Sequence, residues 1–476
     1  MKRPVADSSS KRLFVRWGLP LFLPLCTLLI LLTTSASVGY AQANLPTLGQ
    51  KDIRTEFEEA ISGLRYLRFL NREGIVVQDP ALSYYLEQST TPLLPHFVGD
   101  PSLAQLSIMG INDRTFNAFA VPGGLVGVHL GLLENMTETA DVQAIIAHEL
   151  GHLALGHHAR LATSARESTA WVIASLLLTP LAAQIDLDLA AGLFYGAQGF
   201  AIQQRLAFSR AMEEEADRAA VNAMRSSDLS LQGVINAYEA MARVQRSQSG
   251  TTQSSYQGTH PNVSARLADL RNRLQENPTV AAGSTLSIPL CWVQVDLAFT
   301  VRSQAERCLQ YQNLHRQPRS EQGEHWQRLL TTYPANPYLF YRATQWLQAQ
   351  ERTQGEAVRT ELKRQGRLMP DSGLVALSVL SGQLYESTTE HERWARTLMG
   401  LAPSNDLLSW SVLSDSYNRL DKRALAFRAS AQSSWIKGEV GTAAEQLQRA
   451  IELSENSTER LAWTPQLRRW QALISS

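Results

Sequence analysis

Two histidines four residues apart, with a glutamate after the first, make His148-Glu149-Leu150-Gly151-His152 the part of this sequence best suited to chemistry. Four residues advance an α-helix by about 400°, so the two imidazoles lie one turn apart and about 40° round the same face, within reach of one ion. Such a pair binds zinc, which lowers the pKa of water toward neutrality, and Glu149 stands beside it to take the proton. The chemistry implied is hydrolysis of a peptide bond without a covalent intermediate. Three fixed letters in five residues arise by chance in about one chain of this length per hundred, so the flanks decide. Thr139 reads as a helix N-cap, Asp141 places a negative charge in the first turn, and Val142, Ile145, Ile146, Leu150 and Leu153 recur at helical spacing. The pentad therefore rides a helix with a buried face. His157 and His158 have turned away from the ligand face and read as surface or helix-end residues.

A zinc ion needs a third protein ligand. The run Glu213-Glu214-Glu215-Ala216-Asp217 offers acidic side chains at helical spacing, and Glu213 and Asp217 share a face. One of them can bind the metal while the other accepts a hydrogen bond from a ligand histidine. Without the pentad the run would read as an ordinary solvated acidic stretch.

HELGH followed downstream by Glu213-x-x-Ala216-Asp217 resembles the gluzincin peptidases of the HtpX/BepA family. The resemblance assigns Glu213 as the ligand and Asp217 as the aspartate that orients a ligand, and disfavours Glu214 and Glu215. It also covers Asn117, Ala118, Phe119 and Ala120, continuing through Val128 and Gly131, as the active-site edge strand that holds substrate. The residues agree with a strand there. Phe119, Val121, Leu125, Val126 and Val128 are strand formers and Pro122-Gly123-Gly124 is a turn signal, which equally fits an ordinary core hairpin. A further match is Thr259-His260-Pro261, which by resemblance lets His260 occupy a fourth position on the zinc and restrain activity. Taken alone, a histidine before a proline reads as a loop residue.

At the start of the chain, Lys2, Arg3, Lys11, Arg12 and Arg16 precede an apolar run over residues 19–32, and Ala41-Gln42-Ala43 offers a cleavage site. This is a secretory signal peptide, its apolar core shorter than the roughly twenty residues that span a bilayer. Cleavage after Ala43 leaves 39 basic and 43 acidic residues, a formal balance of −4, with no nucleic-acid footprint. Cys26 would be lost. Cys291 and Cys308 remain, as one disulfide in an oxidising compartment or as two buried thiols. Residues 171–183 and 189–202 are apolar but interrupted, which fits a buried helix pair or a membrane-facing apolar surface rather than a transmembrane helix.

The C-terminal part is punctuated by Pro334, Pro370 and Pro403, each followed by an apolar helix start, Leu339-Phe340, Leu374-Val375 and Leu407-Leu408. Helical repeats of about 34 residues have this signature. Trp435, Gly438, Ala443, Ala444, Leu447, Ala450 and Ile451 place small and large residues as a packed helix pair requires, with a helix ending near Leu453. Such pairs stack into a solenoid whose concave face holds a peptide or partner.

The fold class expected is mainly α: an α+β zincin-type metallopeptidase domain, helical with a small sheet carrying the edge strand, followed by an α-solenoid of tetratricopeptide-like repeats. The expected divisions are a signal peptide over 1–43, the peptidase over 44–275, a linker over 276–300 and repeats over 301–476, with residues 245–258 a mobile loop before His260 and length enough for two sizeable cores. The site expected is one Zn2+ per chain on His148, His152 and Glu213, Glu149 as general base and proton donor, Asp217 orienting a ligand and His260 regulating. The resemblance implies a periplasmic endopeptidase that degrades misfolded or stalled outer-membrane barrel proteins and assists their assembly, with the barrel-assembly machinery as partner and peripheral contact with the outer membrane. The alternative is chiefly a chaperone or scaffold acting through the repeats.

Overall fold

The computed structural model describes residues 66–97 except 72, 106–160 except 159, 210–247, 260, 263–276, 319–350 and 355–475, with single positions at 63 and 103. The signal segment, the apolar stretches 171–183 and 189–202, both mature cysteines, the linker and residues 248–258 lie outside the described residues. The loop expected from residue 245 begins later, because helix continues through Ser247.

The N-terminal part is built around a three-stranded sheet in the order β1-β3-β2. Strand β1 (Ser107–Ile111) runs parallel to β3 (Leu125–His129), and β2 (Ala118–Val121) pairs antiparallel to β3. Residues 122–124 make the β2–β3 turn, with φ of 92° at Gly123 and 81° at Gly124, values a side chain disfavours. β2 is the sheet edge. The ring of Phe119 lies across Gly127, where any Cβ would collide with it at 2.3 Å.

Helix α1 (Pro80–Thr90) is capped by the Asp79 carboxylate and starts on a proline, which needs no partner for a missing N–H. Helix α2 (Leu130–Asn135) follows β3, and α3 (Thr139–Ala154) carries the histidine pentad. The cap of α3 is Glu138 rather than Thr139. Glu138 accepts from the Asp141 backbone region while the Asp141 carboxylate accepts from the Glu138 N–H, a reciprocal box that outcompetes a threonine one residue on. Every residue of α3 from Ala140 to Leu153 is buried, not one face alone. The sheet, α1, the helical residues 210–226 (α4), α5 (Gln232–Ser247) and site side chains surround it. Asn236 of α5 donates to Asp141 at 3.0 Å, tying the two helices at the cap. Helix α6 (Val263–Glu276) packs on α5.

Among the described residues the C-terminal part is helical, with turns between the helices. It comprises α7 (Arg319–Thr332), α8 (Pro337–Gln348), α9 (Glu356–Gly366), α10 (Gly373–Ser381), α11 (Thr388–Leu401), α12 (Leu407–Arg419), α13 (Arg423–Ile436), α14 (Val440–Leu453) and α15 (Ser457–Ser475). Asn336, Ser372 and Asp406, each just after a proline signal, cap α8, α10 and α12 through their side chains. Leu339, Phe340, Leu374 and Val375 are buried, but Leu408 is exposed, and Trp410 and Leu413 take the inward positions of α12 instead.

The two parts do not have separate cores. One cluster runs from Tyr84 and Tyr85 of α1 through Ile145 and Leu150 of α3 to Tyr338, Leu374, Trp394 and Trp410. Gly373 makes the seam possible, since a Cβ there would meet the Tyr84 ring at 2.5 Å. Polar ties cross the same seam: Arg342 pairs with Asp79, Tyr338 Oη donates to Gln88 at 3.1 Å, and Asn405 Nδ2 donates to the Ile108 carbonyl at 2.5 Å. A second, smaller cluster unites α13, α14 and α15, where Trp435 of α13 and Trp470 of α15 stack with centroids 4.6 Å apart.

Candidate metal centre

Helix α3 presents His148 and His152 toward α4 because Gly151, between them, lets α4 approach. A Cβ on Gly151 would sit 3.2 Å from the Ala216 carbonyl oxygen. Ala216 is flanked on α4 by Glu213 and Asp217, so this crossing sets two histidines against two carboxylates.

The structure brings His148, His152, Glu213 and His260 together, each offering one donor atom, all buried and all within 4.8 Å of one another. His148 Nε2 lies 3.1 Å from His152 Nε2, 3.3 Å from His260 Nδ1 and 3.4 Å from Glu213 Oε2. His152 Nε2 lies 3.3 Å from Glu213 Oε1, and His260 Nδ1 lies 3.1 Å from Glu213 Oε2. A tetrahedron with bonds of about 2.05 Å has edges of about 3.3 Å, and these five separations lie close to that length, with Glu213 facing His152 through Oε1 and the other two histidines through Oε2. The donor set suits a cation, since three imidazoles and a carboxylate converge on one point where a bound ion or protons must offset the lone pairs. These residues fit zinc.

Around the four donors stands a shell that orients them. Asp217 Oδ1 lies 3.0 Å from His148 Nδ1, leaving Nε2 free to face the cluster. Arg266 of α6, buried, donates Nε to Asp217 Oδ2 at 2.8 Å and Nη2 to Oδ1 at 2.6 Å, and Nη1 also pairs with Glu213. Tyr238 of α5 hydrogen-bonds the same Asp217 oxygen. Burial by itself would raise the Asp217 carboxyl, but Arg266 and His148 hold it well below the usual carboxylate range. Burial likewise opposes protonation of His148, and the two carboxylates overcome it, lifting its imidazole to about 9 without metal. The sequence pattern carried a signal for Arg266. It interrupts an apolar stripe of Val263, Leu267 and Leu270, all buried, and an arginine on such a stripe needs buried acids to meet.

His157 is not a surface residue. It is 3 % exposed, and its Nδ1 lies 2.8 Å from His152 Nδ1. A continuous helix would have turned it away, but α3 ends at Ala154 and Gly156 takes φ +61°, which folds the chain back beneath His152. His157 Nε2 then meets Glu215 Oε2 at 3.2 Å, and Arg160 meets the same oxygen at 2.6 Å. With His152 Nε2 directed at the cluster, its Nδ1 carries the proton and donates to His157, whose Nε2–H donates to Glu215. Burial lowers the His157 imidazole to about 4, so it stays neutral and can accept. Glu215 is therefore placed away from the four donors, in this outer chain. His158 is half-buried.

Glu149 is 1 % exposed, and its Oε1 lies 3.4 Å from His260 Nε2. His260 thus reaches a ligand carboxylate with one ring nitrogen and Glu149 with the other. On the sheet side, Ala118 and Ala120 of the edge strand are buried, and Phe119 is half-buried against His129. Asn117 precedes the strand with its side-chain oxygen buried and without a hydrogen-bond partner.

Residues 85–274 match peptidase family M48. The chain is 28% identical over 232 residues to the beta-barrel assembly-enhancing protease of Escherichia coli K12, covering 48% of this chain and 46% of that one. It is 26% identical over 242 residues to a putative beta-barrel assembly-enhancing protease of Vibrio cholerae, covering 50% and 48%. Metalloprotease LoiP of Escherichia coli K12 is 28% identical over 161 residues, 34% of this chain and 60% of that one. The similarity to the assembly-enhancing proteases spans about half of their length.

Proposed function

We propose, from the premise that residues 85–274 are a peptidase family M48 domain, that this protein is an exported zinc endopeptidase acting on unfolded or misassembled outer-membrane barrel proteins. The observation that carries the catalytic reading is the set of four buried donors with tetrahedral spacing, with a buried glutamate beside them. His148, His152 and Glu213 would hold the zinc, with Asp217 and Arg266 fixing His148 and Glu213. Bound zinc would polarise the scissile carbonyl and make water acidic enough to deprotonate. Glu149 takes that proton and returns it to the leaving amine. The free edge of β2 pairs with an extended substrate main chain, and the unpartnered Asn117 oxygen accepts one of its N–H groups. His260, reaching both Glu213 and Glu149, holds the base and the fourth position together, and its withdrawal opens both.

The substrate class and site of action rest on the names of the similar proteases, and the helix pairs of the C-terminal part serve as tetratricopeptide-like repeats that hold the client or the barrel-assembly machinery. The N-terminal segment acts as a signal peptide. No helix among the described residues is long and apolar enough to cross a membrane. The test is incubation of the purified protein with an unfolded outer-membrane barrel protein and with the same protein folded in detergent. Fragments should come from the unfolded form and not at all with Glu149→Gln. Equal cleavage by that variant would overturn the reading.

One observation favours a second role. His260 keeps Glu149 engaged in this conformation, which suits a chaperone that withholds proteolysis until a client fails to mature. Complementation of a deletion strain by Glu149→Gln would support it, and loss of complementation would place proteolysis first.

A further inference from the structure

A groove of about 510 Å³ lies between the sheet and the last helices, away from the four donors. Its floor is the β2–β3 turn at Gly123 and Gly124 with Leu125, and its wall is formed by Trp410, Arg428, Gln432, Trp435 and Trp470. Two groups in it lack what burial normally demands.

The first is Arg428. Its guanidinium lies over the Trp410 ring, 5.3 Å from the centroid, and makes one long hydrogen bond, 3.4 Å, to Gln432 Oε1. Among the described residues no carboxylate stands within ion-pair distance of it. Arg266, the arginine that is fully buried among the described residues, meets acids, whereas the half-buried Arg428 meets none there. Partial burial without a counter-charge pulls Arg428 down to about 10, so it remains a cation in the groove wall with room for an anion. The second is Asn405. Its Nδ2 is committed to the Ile108 carbonyl, while its Oδ1 is buried and accepts nothing. A guanidinium asking for an anion, an amide oxygen asking for an N–H, and indole rings in the same lining, with Trp435 part-exposed, describe one kind of occupant. Arg469, exposed at the rim, adds positive charge.

We infer that this groove binds an extended polypeptide segment in which an acidic side chain is flanked by aromatic residues, with the carboxylate on Arg428 and a main-chain N–H on Asn405 Oδ1. Only the choice of polypeptide over another carboxylate rests on the peptidase reading. The groove opens at the turn that ends the edge strand β2, so a client lying along β2 continues toward it. A segment held there gives the enzyme a preference for acidic, aromatic stretches that the main-chain pairing on β2 lacks.

The test is calorimetric binding to the full protein carrying Glu149→Gln, so that peptide stays intact. The probes are a blocked nonapeptide of alternating tyrosine and serine with a central glutamate, the same peptide with a central glutamine, and the glutamine peptide with a free C-terminus. The glutamate peptide should bind about tenfold tighter than the blocked glutamine peptide, as a charge-assisted buried pair requires. Arg428→Met should abolish that preference without lowering the melting temperature, since it removes an uncompensated charge rather than a structural pair. Arg428→Lys, which keeps the charge and loses the fork, should retain part of the preference and guards against a Met variant that fails to fold. Equal binding of the two blocked peptides, or a preference that survives Arg428→Met, would overturn the site. A free-C-terminus glutamine peptide binding as tightly as the glutamate peptide would overturn the side-chain assignment. No binding of any probe by the Glu149→Gln protein, while the parent protein cleaves unfolded barrel protein, would remove the groove and leave the peptidase reading intact.

Discussion

His157 Nδ1 lies 2.8 Å from His152 Nδ1, so a residue outside the metal-binding pentad fixes which nitrogen of a metal ligand carries the proton. Loss of such an outer partner typically costs about 10–100-fold in metal affinity. His157→Phe, which fills the space without accepting a proton, should weaken zinc binding by about that factor while leaving the fold intact, as read by chelator competition and circular dichroism. Glu215→Gln, one step further out, should cost less. An unchanged zinc affinity in His157→Phe would show the contact to be packing alone.

Arg266 pairs with both Glu213 and Asp217 through a permanent positive charge, and removing it leaves two buried carboxylates short of a counter-charge. Arg266→Met should destabilise the metal-free protein by about 3–5 kcal/mol in urea unfolding, with a smaller loss when zinc is bound, because the ion then neutralises Glu213. Equal losses with and without zinc would contradict this division of labour.

Gly151 sets the distance between the helix of the histidines and the helix of the acids. Gly151→Val should push α4 away from α3, costing about 1–3 kcal/mol and lowering the zinc content of the purified protein. A variant with full zinc content and unchanged stability would mean that the crossing has slack that a 3.2 Å approach to backbone does not suggest.

What was legible in the sequence was periodic or local. The spacing of Val142, Ile145, Ile146 and Leu150 located helix α3, the strand formers around Pro122-Gly123-Gly124 located β2 and β3, and the proline signals located the starts of α8, α10 and α12. Spacing paired His148 with His152 and offered Glu213 or Asp217 as a third ligand, while the family resemblance chose Glu213 and added His260, completing the four residues that the structure brings within 4.8 Å of one another. What it hid depended on where regular structure stops or on contacts between distant segments. The helix wheel carried His157 outward, because nothing in the wheel says that Gly156 ends the helix and reverses the chain. Glu138 displaced Thr139 as cap through a reciprocal bond with Asp141 that either residue type alone does not announce. The core joining α1 to α8 and α10 required knowing that Gly373 lies against Tyr84, a contact between segments far apart in the chain.

The seam between the two parts carries a pH dependence. Burial pushes the Glu87 carboxyl up to about 7 against a hydrogen bond from the Ser404 backbone, and the Asp406 carboxyl up to about 6 against Ser409. Both groups ionise near pH 4 when unfolded. Between about pH 4 and 7 the folded state therefore binds more protons than the unfolded one, so stability falls as pH rises through that window. Melting temperature should decline from pH 5 to 7.5, and Glu87→Gln should flatten the decline. An unaltered slope in that variant would place the dependence elsewhere.

The most direct measurement is metal content and casein hydrolysis of the purified protein beside Glu149→Gln and His260→Ala. The account predicts one zinc per chain in all three, no hydrolysis with Glu149→Gln, and faster hydrolysis with His260→Ala, because that change frees the fourth position and the base together. A protein without zinc, hydrolysis that ignores Glu149, or a His260→Ala variant slower than the parent at full zinc content would contradict it.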